Sequence, residues 1–355
     1  MTNRPQGRGG IFFALAAAAL FGLSTPFAKR LLEDVPPVLL AGLFYAGSGL
    51  GLALLWAVLP SGGREARLAR KDLPSLTGGV FLGGVLGPVL LMWGLRATPA
   101  SAASLLLNLE GAFTAAVAWF VFRENYDRRI ALGMLLIVTG GVALSWPQEG
   151  RVGLPLASLA IAGACVCWAL DNNLTQRISA ADPFQIAAIK GAAAGCVNVG
   201  AALTLGAPLP SVGLIALAMI VGFVGYGMSL YLFVLALRGI GTARTGAYFS
   251  VAPFIGAVAS LGLLREQLRL PLAGAGLLMG AGVWLHLSER HGHEHEHERL
   301  VHSHRHVHDE HHQHGHDPND PPGEPHTHDH VHEPLTHWHP HYPDIHHRHR
   351  HRRMG

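Results

Sequence analysis

The chain has 355 residues, half of them hydrophobic and 14% charged, with 26 Lys and Arg against 23 Asp and Glu. A soluble domain carries about 25% charged residues, so this composition excludes an ordinary water-soluble enzyme. The averages conceal two regions: residues 1–288 hold one histidine, His286, and the other 23 of the 24 lie in 291–355. The fold argument therefore belongs to the first region alone.

In chain order, apolar runs fall near 11–31, 38–59, 76–95, 100–122, 129–146, 154–176, 184–206, 211–236, 242–264 and 271–288. Each has roughly 17–25 residues, enough to cross about 30 Å of hydrocarbon as a helix. Helix is forced, because lipid offers exposed backbone groups no partner. Charges and prolines gather in the connections: Pro36-Pro37, Arg64 to Lys71, Arg123 to Arg129, Pro147 to Arg151, Asp182-Pro183 and Pro208 to Pro210. The first run imitates a signal peptide, with Arg4 and Arg8 ahead of it. Nine similar runs follow, so cleavage is not expected. With the N-terminus inside, inside connections before the tail carry 12 basic residues and outside ones carry 6. The positive-inside rule then puts both termini in the cytoplasm of a cell whose inner membrane holds the chain. The cysteines Cys165, Cys167 and Cys196 all lie in apolar runs and read as free, buried thiols.

The chain repeats itself. Residues 91–144 align with 233–286 at a constant offset of 142, setting Arg96 on Arg238, Arg123-Glu124 on Arg265-Glu266, and Gly140 on Gly282. Earlier, at an offset of 147, Leu23 falls on Leu170, Arg30 on Arg177 and Pro36 on Pro183. Each half thus holds five spans, and an odd number makes the second half enter the membrane upside down. Inverted repeats of this kind accompany transporters, with the binding site near the midplane between the halves. The expected fold is all-α and integral to the membrane: five helices over 11–146, five over 154–288, and a disordered His-rich tail over 289–355.

The stretches AAALFGLSTPFAKRLL, AWFVFRENYDRRIALGMLLIVTGGVAL and GLLREQLRLPLAGAGLLMGAGVWL resemble the EamA-type transporters of the drug/metabolite transporter superfamily. The resemblance covers about 11–288 and implies the architecture; the family's solutes are too varied for it to imply a substrate. Where the second repeat has Pro253, in the family's usual helix-breaking position, the first has Gly111, preceded by Glu110.

Ionisable groups inside spans are costly and mark candidate sites. Three occur: Glu110, Asp171 and Lys190. Glu110 lies near the middle of its span, with Asn108 beside it, and reads as a proton or cation site or as a structural hydrogen-bonding acid. Asp171 and Lys190 flank the turn near 179–182 at equal depth. A salt bridge follows, serving as a structural clasp, a cytoplasmic gate or a solute contact. Asp171-Asn172-Asn173 falls on Ser24-Thr25-Pro26 at the offset of 147. Polar breaks in corresponding places of two halves point to the solute path. Tyr226 and Tyr231 are path or packing residues, and Glu124 and Glu266 read as helix-end partners of Arg123 and Arg265.

Before His286 no histidine is available for a Ser-His or HExxH arrangement, and no GxxxxGK[ST] loop occurs. No enzyme activity, direct use of ATP, required cofactor or nucleic-acid partner is expected. In the tail, His291, His293, His295, His297, His302, His304, His306, His308, His311, His312, His314 and His316 alternate with acids and other polar residues. Neutral imidazoles suit Zn, Ni and Co, so the tail is expected to bind such metals, less well below about pH 6 as imidazoles protonate. Residues 289–355 carry 7 Lys and Arg against 12 Asp and Glu, hence −5, rising to +18 if all 23 histidines protonate. Attraction to anionic lipid would rise with that charge. The expected function is secondary active transport, in the export direction, of a small metabolite or a transition-metal cation. The alternative is a membrane-anchored metal sensor or buffer without transport. Membrane lipid and the solute are the expected partners, and a homodimer is left open.

Overall fold

The computed structural model describes residues 6–58, 68–122, 128–146, 156–178, 181–287 and, in the tail, 292–297, 300–306, 326–332 and 335–340. Each of the ten apolar runs is helical over most of its described residues. The first half comprises α1 (Gln6–Leu31), α2 (Pro37–Val58), α3 (Leu73–Gly79), α4 (Gly87–Ala97), α5 (Ala100–Leu106), α6 (Leu109–Phe122) and α7 (Arg128–Ser145). The second comprises α8 (Leu156–Ile178), α9 (Pro183–Thr204), α10 (Val212–Gly222), α11 (Ser229–Phe249), α12 (Ala252–Leu263) and α13 (Leu270–Leu287). A π-helical stretch, Val80–Leu86, joins α3 to α4, and another, Phe223–Met228, joins α10 to α11. Among the described residues, six helical stretches are long and apolar enough to cross a membrane. Shorter apolar helices, Ala131–Ser145, Ala252–Leu263 and Leu270–Leu285, accompany them.

Local chemistry explains the ends. Pro37 and Pro183 open α2 and α9, where a missing N–H costs nothing and φ is already helical. Asp182 Oδ1 accepts from the Phe184 N–H at 2.9 Å and caps α9. The fourth expected run is divided at Leu107–Asn108, where the Asn108 amide donates to the Leu105 carbonyl at 3.0 Å. An interruption recurs in the second half at Ser250–Val251, one residue beyond the place the offset of 142 gives. One expected break is absent. The sequence places a connection at 237–241, but α11 runs through it as one helix. In the first half the equivalent position is Pro99, which separates α4 from α5 by refusing the helical N–H and pushing Thr98 into extended backbone, φ −117° and ψ 143°. Its counterpart, Gly241, keeps its N–H.

The packing obeys the internal symmetry. α1 packs on α11 and α12, and α8 packs on α4 and α6; α2 lies along α9, and α7 along α13. Exchanging each helix for its repeat equivalent reproduces the same pairs. At the α2–α9 crossing Gly42 faces Val199, Ala46 faces Gly195 and Gly49 faces Gly191. The numbers run in opposite directions, so these equivalent helices are antiparallel, as inverted halves require. Small residues let the backbones approach. A Cβ on Gly195 would lie 2.5 Å from the Ala46 nitrogen. The largest apolar core gathers Leu39, Leu40 and Phe44 of α2 with Met92, Leu95, Leu106, Ile137 and Ile161. Cys165 and Cys167 are buried, whereas Cys196 is exposed, contrary to its reading as a buried thiol.

Among the described residues of the tail, β1 (Gly292–His297) pairs antiparallel with β4 (Leu335–Pro340), and β2 (Leu300–His306) with β3 (His326–His332). The tail's alternation of histidine with other residues has the two-residue period of a strand, a pattern that composition alone conceals. His291, His308, His311, His312, His314 and His316 lie outside the described residues.

The crossing yields a test. Gly195→Ala should lower the thermal midpoint of the purified protein, because overpacking of this kind costs about 1–3 kcal/mol. Gly200→Ala on the same helix, where an added Cβ meets nothing within 4 Å, should hold or raise it. Equal midpoints would show that the close approach does not matter.

Candidate solute path

The π-helical stretches are the natural place to begin. A π-turn shifts the hydrogen-bond register and frees carbonyls, and such turns concentrate at functional sites. The Gly83 carbonyl accepts from Tyr45 Oη at 2.7 Å and from Trp168 Nε1 at 3.0 Å, and the Gly84 carbonyl accepts from the Asn198 amide at 3.1 Å. Helices α2, α8 and α9 thereby converge on one turn.

Asp171 lies on the same turn. A Cβ on Gly79 would come within 2.6 Å of its Oδ1, and a Cβ on Gly83 would overlap its carboxylate. Lys190 Nζ donates to Asp171 Oδ1 at 2.7 Å, to Oδ2 at 2.8 Å, and to Thr175 Oγ1 at 3.0 Å. Thr175 in turn donates to Asp171 Oδ1 at 2.9 Å. Asp171 and Lys190 are only 8% and 6% exposed. Lys190 therefore turns inward rather than out to an interface. Burial of two charges repays its desolvation only when geometry is good and remaining valences are filled; the bidentate contact and Thr175 meet both conditions.

The mirror position is uncharged. Ser24, the counterpart of Asp171, sits against Gly225 in the second π-turn, with its Cβ 2.6 Å from where a Gly225 Cβ would stand. Gly225 is itself the counterpart of Gly83 at the offset of 142. The Ser24 hydroxyl donates to the Phe21 carbonyl at 2.6 Å, and Thr25 is buried.

Glu110 opens α6. The Asn172 amide of α8 donates to its Oε1 at 2.7 Å, and Asp171 lies within electrostatic range. Asn108 and Asn173 do not join this pair: Asn108 turns to the Leu105 carbonyl, and Asn173 donates to Ala169 of its own helix at 2.8 Å. An aromatic cluster adjoins the turn at Gly83. Tyr226 meets Phe21, Phe44 and Tyr45 edge-on, with ring centres 5.6, 5.4 and 5.6 Å away. Phe21 also meets Trp168 at 6.2 Å. Tyr231 instead lies against Phe184 at 4.0 Å.

A second charged cluster, which the sequence did not disclose, closes the other end of α4. Lys29 of α1 donates to the carbonyls of Leu95, Arg96 and Thr98 at 2.8, 3.0 and 2.8 Å. Across the Pro99 break, Glu266 accepts from the Ala100 and Ser101 N–H groups at 2.7 and 3.0 Å and from the Ser101 hydroxyl at 2.5 Å. A cation thus meets the carbonyl end of one helix and an anion the N–H end of the next, as helix dipoles favour. Arg265, just before Glu266, has φ 53°, unusual for a residue with a side chain. Glu266 therefore binds the start of α5, through two backbone N–H groups and the Ser101 hydroxyl, instead of the Arg265 partner expected of it. Glu124 lies outside the described residues. The signal was present only as polarity at helix ends; the partner was not legible.

Inverted helical halves, paired polar interruptions and a charged interior define the class: a multi-pass membrane transporter. The EamA-like transporter family model matches residues 8–146 and 155–288, and the chain belongs to that family, within the drug/metabolite transporter superfamily. It is 30% identical over 295 residues to an uncharacterized transporter of Methanothermobacter thermautotrophicus, covering 78% of this chain and 85% of that one. It is 27% identical over 175 residues to the uncharacterized transporter YetK of Bacillus subtilis, covering 48% and 52%. A solved crystal structure shares the fold, with a TM-score of 0.58 at 19% identity over 78% of this chain and 94% of that one. These relatives carry transporter names, not enzyme names.

The clasp can be tested by a double-mutant cycle on thermal or denaturant stability. Asp171→Asn or Lys190→Met alone strands a buried charge and should cost about 3–5 kcal/mol. The pair should recover about 0.5–3 kcal/mol relative to additivity. Strict additivity would mean that the two side chains do not act together.

Proposed function

We propose that the chain is a secondary active transporter that exports a small solute across the inner membrane, with the path running past Glu110, Asn172, Asp171, Lys190, Ser24 and Tyr226. The observation that carries this reading is the Glu110–Asn172 contact beside the Asp171–Lys190 pair, polar chemistry that a helix bundle in lipid does not need for packing. Glu110 is the group suited to exchange a proton or cation during the cycle. The solute is a metabolite in the first reading. The tail favours a second, a transition-metal cation, because a cytoplasmic store of imidazoles can load an exporter. Among the described residues no group of three His, Cys, Asp or Glu is assembled around a metal position, so the second reading rests on the tail.

Flux into proteoliposomes tests both readings. Glu110→Gln should abolish pH-dependent transport in a protein that still elutes as a folded species. An unchanged pH profile would make Glu110 structural. Truncation after Glu289 should leave metabolite flux unaltered at every Zn²⁺ or Ni²⁺ concentration, but should lower flux if the metal is the solute. No flux of any solute by the full chain would return the tail to the role of a sensor or buffer.

Orientation is part of the proposal, since export needs a cytoplasmic tail. Reporter fusions after Gly150 should read outside, and fusions at Gly355 inside. Both on one side would contradict halves of five spans each.

A further inference from the structure

The histidines of the tail are placed by strand register as well as by sequence. In β2 and β3, His302 stands opposite His330, His304 opposite His328 and His306 opposite His326. In β1 and β4, His293 stands opposite His339 and His295 opposite His337. The pairings are nested, β2 with β3 inside β1 with β4, so one fold-back of the chain carries five matched pairs. Directly opposed residues belong to one face of a ribbon, and so do residues two apart in a strand. One face of each ribbon is therefore a ladder of histidines. A slip of one residue would set each of these histidines against another residue type and send the two strands' histidines to opposite faces.

Spacing decides what such a ladder can do. Histidines two apart in one strand have backbones about 6.6–6.8 Å apart. Opposed residues have Cβ atoms about 4.5–5.5 Å apart, better suited to two imidazoles that share an ion at bonds of about 2.0–2.1 Å. Two successive pairs supply four imidazoles, the number a closed tetrahedral site takes. In the outer ribbon the four are His293, His295, His337 and His339. In the inner ribbon His304 and His328 are the middle pair and share one ion with a neighbouring pair. Neutral imidazole favours zinc, nickel and cobalt over the hard cations magnesium and calcium.

We propose that each ribbon is a site for one zinc-type divalent ion, held by histidines of both strands, and that the ion locks the fold-back of the tail. Among the described residues no group of three metal-binding side chains is already assembled; the register supplies nearness, and the ion completes the site. Two-stranded ribbons are at best marginally stable alone in water. An ion that binds paired strands and not separated ones shifts the balance toward pairing. The tail then acts as one metal-dependent structure, not as a string of separate His-x-His chelates. The inference goes beyond the export reading and does not rest on it, since neither the site nor its test involves flux.

Two measurements on the detergent-purified full chain, prepared without metal-affinity resin, test the proposal. Added Co²⁺ should raise the intense visible band of the four-coordinate ion to a plateau at about two ions per chain, one for each ribbon. H302Q/H304Q/H306Q on β2 and H326Q/H328Q/H330Q on β3 should each halve the band, and the two sets combined should lower it no further. Losses that add, a band that neither set lowers, or no four-coordinate band overturns the proposal. The second measurement reads the lock. Zn²⁺ should slow trypsin cleavage after Arg305 of β2 by at least about tenfold in the unmutated chain, as cleavage follows the population of the open form. The H326Q/H328Q/H330Q chain, whose β2 is unaltered, should lose that protection. Protection that persists there shows β2 holding metal by itself and overturns the cross-strand site. Absence of protection in the unmutated chain overturns the lock.

Discussion

Inside hydrocarbon a backbone carbonyl has no water to turn to, and each one left without a partner costs several kcal/mol. This constraint makes every span a helix, and it also shapes the interior. Where the helices relax into π-turns at Val80–Leu86 and Phe223–Met228, freed carbonyls must be met by something else. At Gly83 and Gly84 they are met by Tyr45, Trp168 and Asn198 from three other helices. The hydrogen-bonding side chains of Tyr45, Trp168 and Asn198 are therefore drawn in by backbone that needs them. The same turns are glycine-rich, which is why the Asp171 side chain can lie directly on Gly79 and Gly83. One irregularity of backbone supplies both the room and the polarity.

The inverted repeat explains what is shared between the halves, and the side chains explain what is not. The Asp171–Gly83 contact and the Ser24–Gly225 contact are one geometry written twice, but only the first carries charge. Likewise Pro99 breaks its helix while Gly241 lets α11 continue. A frame with two-fold symmetry thus holds a site without it. That combination suits a carrier: symmetry makes the two end states similar in energy, and asymmetric chemistry lets a solute and a coupling ion act differently in each.

The spans were legible in the sequence because hydropathy over a membrane's width is a strong and local signal. The meeting of Asp171 with Lys190 was legible too, because equal distances from the α8–α9 turn put both at one depth. Other features depended on side-chain direction, which spacing does not give. Asn108, two residues from Glu110, turns to its own helix, while Asn172, 62 residues away, is the one that reaches it. Lys29 looked like a loop charge at the end of a span; its three carbonyl partners belong to a break that Pro99 creates 70 residues later. The strands of the tail were hidden for another reason. Composition argued against a core, and the two-residue period that permits pairing was read as a metal chelate.

The positions of the two charged clusters follow from the antiparallel course of α2 and α9. Lys29 ends α1, and Asp171 lies toward the end of α8, the inverted counterpart of α1, so the clusters stand toward opposite ends of the bundle. The stretch Arg70–Ala97, about 42 Å long at 1.5 Å per residue, links them. It starts beside the α8–α9 turn, where the Leu68 N–H donates to Gln185 at 3.0 Å, and finishes under Lys29. The clusters also differ in what they join. Asp171, Lys190 and Thr175 all belong to the second half, so their ion pair can persist while the halves move. Glu266 belongs to the second half and its partners Ala100 and Ser101 to the first. In a carrier that works by rocking one half against the other, a contact within a half can persist and a contact between halves has to change. The Glu266 cap, next to the unusual backbone of Arg265, is a contact of the second kind, and the Asp171–Lys190 pair is one of the first.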